Sequence, residues 1–441
     1  MRDDPDQIHA RASRKAALRL LPILCLVYFM AFVDRTNVGL AKTALGADVG
    51  ISAAAFGAGA GIFFLSYALL EVPSNLIMYR VGPRRWITRI ALTWGTICAC
   101  MMFVQGEVSF YILRFLLGAA EAGLYPALMY VVTLWFSQKQ RVSVVGVLYL
   151  AVCAGLGLGA PLGGAIMELN GAGGMYGWQW MFLIEGLITL VVAAVFWRMV
   201  PDRPSDAPWL SEREAEVLNE RAAAGNAPSH ASLKGNLKVA FGRPFILALA
   251  VIYFANQINS VAIQYNFPSI VQSLGIEGSF NIGVVSGSIG IGALIGVLVI
   301  PWLHRRATGE LTVLTGVTVA TAVVAAIYTV TDGAVARILL IDVAMMLLIG
   351  VLPLYWSVAM ARMTGLMAAA GLAFINTVGL LGGFTGPYLY GYAEGRGSEA
   401  GGHAVLLGAA VLGMLLLPLL AYAVRTEDRK LTAGPILEDV R

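Results

Sequence analysis

The sequence predicts an all-α membrane protein of twelve transmembrane helices, arranged as two pseudo-symmetric bundles of six. Three observations carry that reading. Of 441 residues, 58% are apolar and only 13% are charged, about half the charge of a soluble domain, and the mean hydropathy is +0.76. The apolar residues gather into twelve runs, most of them at or above the roughly 20 residues that cross a bilayer as a helix. The basic residues between the runs collect on alternate loops, as topology requires. The same composition excludes a soluble enzyme, a disordered chain and a disulfide-stapled secreted domain.

The first run, at about 18–40, follows a basic tail (1–17) and contains Asp34 and Arg35. It is too long for a cleaved signal peptide and is expected to stay in the mature protein. Five more runs follow, at about 54–78, 87–105, 109–135, 143–167 and 178–199, and complete a bundle over 18–199. A loop at 200–243, rich in charge and in Pro201, Pro204 and Pro208, separates the halves. Within it Ser211-Glu212-Arg213-Glu214 reads as a helix start. The second bundle (244–424) holds runs at about 245–272, 281–303, 311–330, 336–361, 367–392 and 402–424, and the tail is 425–441. All are longer than the roughly ten-residue strands of a membrane barrel.

Most of the 30 basic residues fall on one side: the N-terminal tail, Arg80 to Arg89, Lys139 and Arg141, the central loop, Arg305, Arg306, Arg362 and the C-terminal tail. Lys42, Arg337 and Arg396 fall on the other. Both termini are therefore expected in the cytoplasm. The fifth run (Gly155, Gly157, Gly159, Pro161, Gly163, Gly164) and the eleventh (Gly379, Gly382, Gly383, Gly386, Pro387, Gly391) are similarly interrupted. Such matching interruptions point to a transporter's binding region, although small residues also serve close helix packing. Cys25, Cys98, Cys100 and Cys153 lie in apolar runs without metal spacing and read as small buried hydrophobes. None of the four histidines has a metal-like partner in the sequence, and no cofactor motif occurs.

Charges inside spans are the informative positions, because each costs roughly 2.5–3.5 kcal/mol at the bilayer centre. The first helix carries Asp34-Arg35-Thr36-Asn37; the fourth carries Arg114, Gly118, Glu121 and Tyr125 on one expected stripe. With all four groups ionised, Asp34, Arg35, Arg114 and Glu121 sum to zero. Protonating Asp34 and Glu121 leaves two guanidinium charges, whose planar forks suit a carboxylate. Proton and anion binding then reinforce each other by linkage. In the seventh run Asn256, Ser260 and Gln264 lie near one stripe, with Asn259 and Tyr265 close by. Asn256 and Gln264 are candidates to hydrogen-bond a substrate, or else a neighbouring helix. Glu185 and Asp342 lie near helix N-termini, where the dipole favours acids.

Several motifs resemble one family. Asp34-Arg35-Thr36-Asn37-Val38-Gly39, Glu71-Val72-Pro73-Ser74-Asn75, Gly82-Pro83-Arg84-Arg85-Trp86 and the segment from Arg114 to Gly123 are similar to the anion:cation symporters of the major facilitator superfamily. So are Trp178 to Gly186 and Asn376-Thr377-Val378-Gly379. The resemblance implies the major facilitator fold, with proton-driven import of an organic anion by alternating access across the inner membrane. It implies proton coupling at Asp34 and Glu121 and substrate binding at Arg35, Arg114, Tyr67, Trp356 and Asn376. Glu71 is expected to support a gate with Arg84 and Arg85. Val152-Cys153-Ala154 and Phe32 stand where sugar-acid carriers of the family have polar groups and a tyrosine, which favours a small di- or aromatic carboxylate. The expected partners are that carboxylate, protons and lipid; no nucleic acid, metal or cofactor is expected, and the chain is expected to be a monomer. Exchange of organic anions or phosphate esters, or export of drugs or metabolites, is the alternative on the same fold.

Overall fold

A computed structural model describes residues 4–223, 243–307, 309–363, 365–397 and 399–432. Residues 224–242, with Lys234 and Lys238 of the central loop, lie outside this range, as do Arg2 and Arg441. The described residues contain helices and no strand, and twelve helical stretches are long and apolar enough to cross a membrane.

The first half runs α1 (Pro5–Leu40), a short α2 (Lys42–Val49), α3 (Ala53–Val81), α4 (Pro83–Cys100), α5 (Glu107–Glu121), α6 (Leu124–Trp135), α7 (Gln138–Met167) and α8 (Gly177–Met199). The amphipathic α9 (Glu212–Ala223) follows, beginning where Ser211 accepts the Glu214 N–H and Glu214 accepts the Ser211 N–H. The second half runs α10 (Pro244–Ser273), α11 (Ser279–Ser286), α12 (Ser288–Arg306), α13 (Glu310–Thr329), α14 (Ala334–Gly350), α15 (Leu352–Met360), α16 (Gly365–Gly395), α17 (Glu399–Leu415) and α18 (Leu417–Thr432). Helix starts carry the expected local chemistry. Pro5 and Pro83 open α1 and α4 where no N–H is needed, Ser52 caps α3, and Ser137 with Gln140 forms a capping box on α7.

Five spans are not continuous helices. α5 and α6 together make the fourth, α11 and α12 the eighth, α14 and α15 the tenth, α17 and α18 the twelfth, and α4 ends in a 3₁₀ turn at Met101–Phe103. The break in the fourth span is the sharpest. Ala122 is extended (ψ 126°) and Gly123 has φ +88°, a conformation that only glycine adopts without strain. The expected stripe therefore stops at Glu121, and Tyr125 belongs to a separate helix, stacked on Tyr28 with centroids 5.9 Å apart.

The chain packs as two compact units, Met1–Ala227 with Gln264–Gly290, and Pro228–Ile263 with Ile291–Arg441. In the first, α1 lies on α7 along a glycine seam. A Cβ on Gly155 would come within 2.6 Å of the Phe32 Cβ, and one on Gly163 within 2.5 Å of Asn37 Oδ1. In the second, Gly379, Gly382 and Gly386 of α16 lie against Tyr253, Phe254 and Ile258 of α10 in the same way. The matching glycine runs thus build matching helix contacts, since backbone proximity is what holds helices together where lipid gives no hydrophobic drive. The units' outer surfaces carry exposed apolar side chains such as Leu158, Leu162, Val191 and Leu298, a surface that lipid covers.

Candidate functional site

The interior of the first unit is built where α3 and α5 touch. A Cβ on Gly118 would fall 2.1 Å from the Phe63 carbonyl oxygen, so the two backbones meet there. That approach brings Arg114, fully buried, beneath α3. Its Nε donates to Gly59 O at 3.3 Å, and Nη2 donates to Ala60 O at 3.4 Å and to the Tyr265 hydroxyl at 2.9 Å. The guanidinium also lies over the Phe63 ring at 4.7 Å. One terminal nitrogen, Nη1, has no partner, an open donor on a group that needs all of its donors met when dry.

Two turns of α5 further on, Glu121 is likewise buried and forms an ion pair with Arg35 Nη2 of α1. Its second oxygen, Oε2, has no partner. The Arg35 guanidinium is boxed by three rings, Phe32 at 5.1 Å, Phe63 at 5.4 Å and Tyr67 at 5.8 Å. Cation–π attraction strengthens in such a desolvated setting. Beyond Glu121, the chain break is held by Ser74, whose hydroxyl donates to Ala122 O at 2.6 Å and accepts the Trp86 indole N–H at 2.9 Å.

Arg35, Arg114, Glu121 and Tyr67, singled out in the sequence, thus come together. Asp34 does not join them through a hydrogen bond. It faces the other side of α1, with Trp94 and Cys98 of α4 beside it, and neither of its oxygens makes a well-formed hydrogen bond. There the fold brings Asp34, Cys98 and Glu185 together, one carboxylate oxygen or sulfur from each lying within 4.8 Å of the others. Asn37 Nδ2 donates to Glu185 Oε1, and Glu185 Oε2 is unpartnered. Periodicity alone gives Glu185 to the helix dipole and Cys98 to packing; the signal in the sequence for this cluster is that α1 carries Asp34 and Asn37 on one face.

Gln264 is buried in the first unit, where the Gly39 backbone of α1 meets the Gln264–Tyr265 backbone; a Cβ on Gly39 would lie 2.9 Å from Tyr265 O. Lys42 donates to Asn266 Oδ1 at 2.7 Å in the same region. Tyr265 is the residue underweighted by periodicity, since its hydroxyl is what reaches Arg114. Arg84 donates through Nε to Trp197 O at 2.7 Å and lies over that indole, while Asp202 accepts the Arg84 backbone N–H at 2.9 Å. Asp202 was not singled out in the sequence. Glu71 is buried in α3 and Arg85 is exposed.

In the second unit Tyr253 is central: Trp356 packs edge-on to it at 5.4 Å, Tyr355 at 5.5 Å, and Gly379 leaves it room on α16. Asn376, half-buried, is one turn before Gly379. Asn256 donates to Leu348 O at 3.3 Å and lines a cavity of about 20 Å³ with Thr318, Thr321 and Tyr355, room for about one water. That bond is an interhelical one.

Comparison with known proteins agrees with this architecture. Residues 24–387 match the Major Facilitator Superfamily. The chain is 38% identical to a protein of Agrobacterium vitis provisionally named a tartrate transporter, covering 93% of this chain and 94% of that one. It is 35% identical to the inner membrane transport protein RhmT of Escherichia coli, over 92% and 94% of the two chains. It is 34% identical to a quinolone resistance transporter of Acinetobacter baumannii, over 93% and 94%. Among solved structures, a bacterial homologue of the lysosomal transporter Spinster superposes with TM-score 0.74 at 16% identity, over 93% of this chain and 97% of that one. The D-xylose-proton symporter superposes with TM-score 0.71 at 12% identity, over 91% and 97%. Identities so low speak for the fold alone, but with the family match and the curated relatives the conclusion is firm: the chain belongs to the major facilitator superfamily, as a multi-pass inner-membrane transporter related to its organic-anion carriers.

Proposed function

We propose that the chain imports a small organic carboxylate together with protons by alternating access, with both termini in the cytoplasm and a single chain as the working unit. The observation that carries the reading is the buried Arg35–Glu121 ion pair. Pairing with Glu121 holds the Arg35 charge; protonation of Glu121 releases the guanidinium to an anion, and anion binding in turn favours protonation. Arg114 keeps Nη1 open and supplies a second cation, fixed by Tyr265 and the α3 carbonyls rather than by an acid. Two cations suit a dicarboxylate or an aromatic acid better than a polyhydroxylated sugar acid, because Phe32 and the Val152–Ala154 stretch offer no hydroxyl-seeking groups. Tyr67 at Arg35, Gln264, and Asn256, Trp356 and Asn376 of the second unit are the further substrate candidates. Asp34 is a second proton site, and Glu71, Arg84 and Arg85 act at the gate.

The test is uptake into proteoliposomes of tartrate, phthalate and a sugar acid under an inward proton gradient. Uptake collapsed by a protonophore and indifferent to sodium supports symport. A second reading, export, is favoured by the name of the Acinetobacter relative, a quinolone resistance transporter. Proton-driven accumulation of a quinolone inside inverted vesicles, without carboxylate uptake in proteoliposomes, would favour that reading instead.

A further inference from the structure

We infer that Asp34 and Glu185 share a proton as a carboxyl–carboxylate pair, and that Glu185 is a proton-handling residue of the transport cycle. This rests on the proton-coupled reading above and adds to it a residue on the sixth span.

The first support is position. Asp34 and Glu185 are 2% and 3% exposed, and their oxygens lie within 4.8 Å of each other beside the Cys98 thiol. The α4 and α8 backbones meet next to them, since a Cβ on Gly186 would fall 2.5 Å from Gly95 O. Two carboxylates this close in a dry interior do not both ionise; one proton between them removes the repulsion and fills a valence.

The second support is the set of unmet polar groups. The Trp94 indole N–H, 1% exposed and next to Asp34, makes no well-formed hydrogen bond, and neither do the two Asp34 oxygens and Glu185 Oε2, although Asn37 donates to Glu185 Oε1. A donor beside an ionised carboxyl, and carboxyl oxygens left without a donor, are each what a half-protonated pair requires.

Charge balance is the third. Around the site, the spans of the first unit hold Asp34, Glu121 and Glu185 against Arg35 and Arg114. Arg35 is paired with Glu121, while Arg114 takes carbonyls and a tyrosine hydroxyl. With every group ionised there is one negative charge too many, and a single proton on the pair restores neutrality. A second proton on the pair, with one on Glu121, leaves two guanidinium charges uncompensated, the complement of a dianion. Asp34 precedes Arg35 in α1, so a change of charge on the pair is felt at once by the cation that binds substrate.

The experiment compares the pH dependence of counterflow in proteoliposomes for the parent, Glu185→Gln and Glu185→Asp. Removing the neighbouring carboxylate lowers the proton affinity of Asp34, so the Glu185→Gln midpoint is expected at lower pH by about one unit, a tenfold rise in proton concentration, while Glu185→Asp keeps the parent midpoint. A folded Glu185→Gln carrier with the parent's midpoint would overturn the inference and leave Glu185 a packing residue. Should that variant not fold, infrared spectra of Glu121→Gln decide. A carboxylic C=O absorption persisting at pH 8 is expected from the pair, and its absence overturns it. Parent activity abolished by a chelator and restored by a divalent metal would assign the cluster to a cation and also overturn it. Parent uptake that ignored the proton gradient would instead sink the symport reading, with the infrared band still deciding the pair.

Discussion

Glu121, ion-paired with Arg35, is the last helical residue before the fourth span breaks. Ala122 turns extended and Gly123 takes φ +88°, so the acid sits at a joint rather than within a rod. Discontinuous helices at transporter binding regions place loosened backbone beside the ligand and give the chain a place to move. An acid at the joint can therefore couple its protonation to both the binding cation and the local backbone.

Arg114→Lys should weaken substrate binding by roughly tenfold to a hundredfold, the loss of one charge-assisted hydrogen bond of about 1.5–3 kcal/mol. Lysine supplies a point charge where Arg114 uses Nε and Nη2 on two carbonyls and Tyr265 and still has Nη1 to offer. Calorimetry on the folded variant checks this. An unchanged affinity removes Arg114 from the site. Tyr265→Phe, which removes one of the two acceptors of Nη2, should weaken binding less than Arg114→Lys does.

Gly118→Val should damage the same site through packing. The Cβ alone would sit 2.1 Å from Phe63 O and 2.3 Å from Ser66 Oγ, so α5 must be pushed from α3. Overpacking of this kind costs about 1–3 kcal/mol, and here it also moves Arg114. The expected outcome is a lower Tm together with lost binding. A variant with the parent's Tm would show that α3 and α5 do not touch there.

Charge at the membrane-facing loop gives a separate pH prediction. Burial acts to raise the Glu214 carboxyl of α9, but Lys15, the Ser211 N–H and Arg11 outweigh it and hold it at about 2, below its ordinary 4.5. A carboxylate depressed by folding contributes stability that is complete above the unfolded value and is lost as pH falls through the folded one. The docking of α9 on α1 should therefore weaken between about pH 4.5 and pH 2, and Glu214→Gln should weaken it at neutral pH. Hydrogen exchange of the 212–223 amides measures both. Equal protection in parent and variant at pH 7 would show that the Lys15 and Arg11 contacts carry no weight.

How much of this was legible in the sequence depends on the distance over which each feature is decided. The twelve spans follow from run length, and Arg35, Arg114 and Glu121 stand out because charge is costly among apolar neighbours. Tyr67 came from the resemblance, and it falls beside Arg35. The break after Glu121 was missed because Gly123 in an apolar run reads equally as a packing glycine; only its φ distinguishes the two. The partners of Arg114 and Glu185 were missed because Tyr265 and Asn37 are 151 and 148 residues away from them in the chain. Periodicity orders residues on one helix and says nothing about which face meets which. Asp202, which caps the Gly82–Arg84 turn from 118 residues away, was missed for the same reason.

Glu121→Gln separates coupling from binding. The amide keeps the shape of the side chain and mimics its protonated form, so the Arg35 guanidinium is no longer held by a carboxylate. Substrate should still bind, with weaker dependence on pH, and exchange of substrate for substrate should survive, because neither requires the proton to leave Glu121. Accumulation against a gradient should fail. To reset empty, the carrier must lose that proton and let Glu121 neutralise Arg35 again; with glutamine the empty site carries an uncompensated cation in a dry interior, which is costly to turn through the membrane. Asp34→Asn should impair transport as well, but through the pair with Glu185, so the midpoint of its counterflow should shift in pH where that of Glu121→Gln keeps only the weaker dependence set by the pair. Counterflow and gradient-driven uptake in one proteoliposome preparation distinguish these outcomes. If Glu121→Gln accumulated substrate as the parent does, the Arg35–Glu121 pair would be a structural bond, and proton coupling would have to lie with the Asp34–Glu185 pair alone.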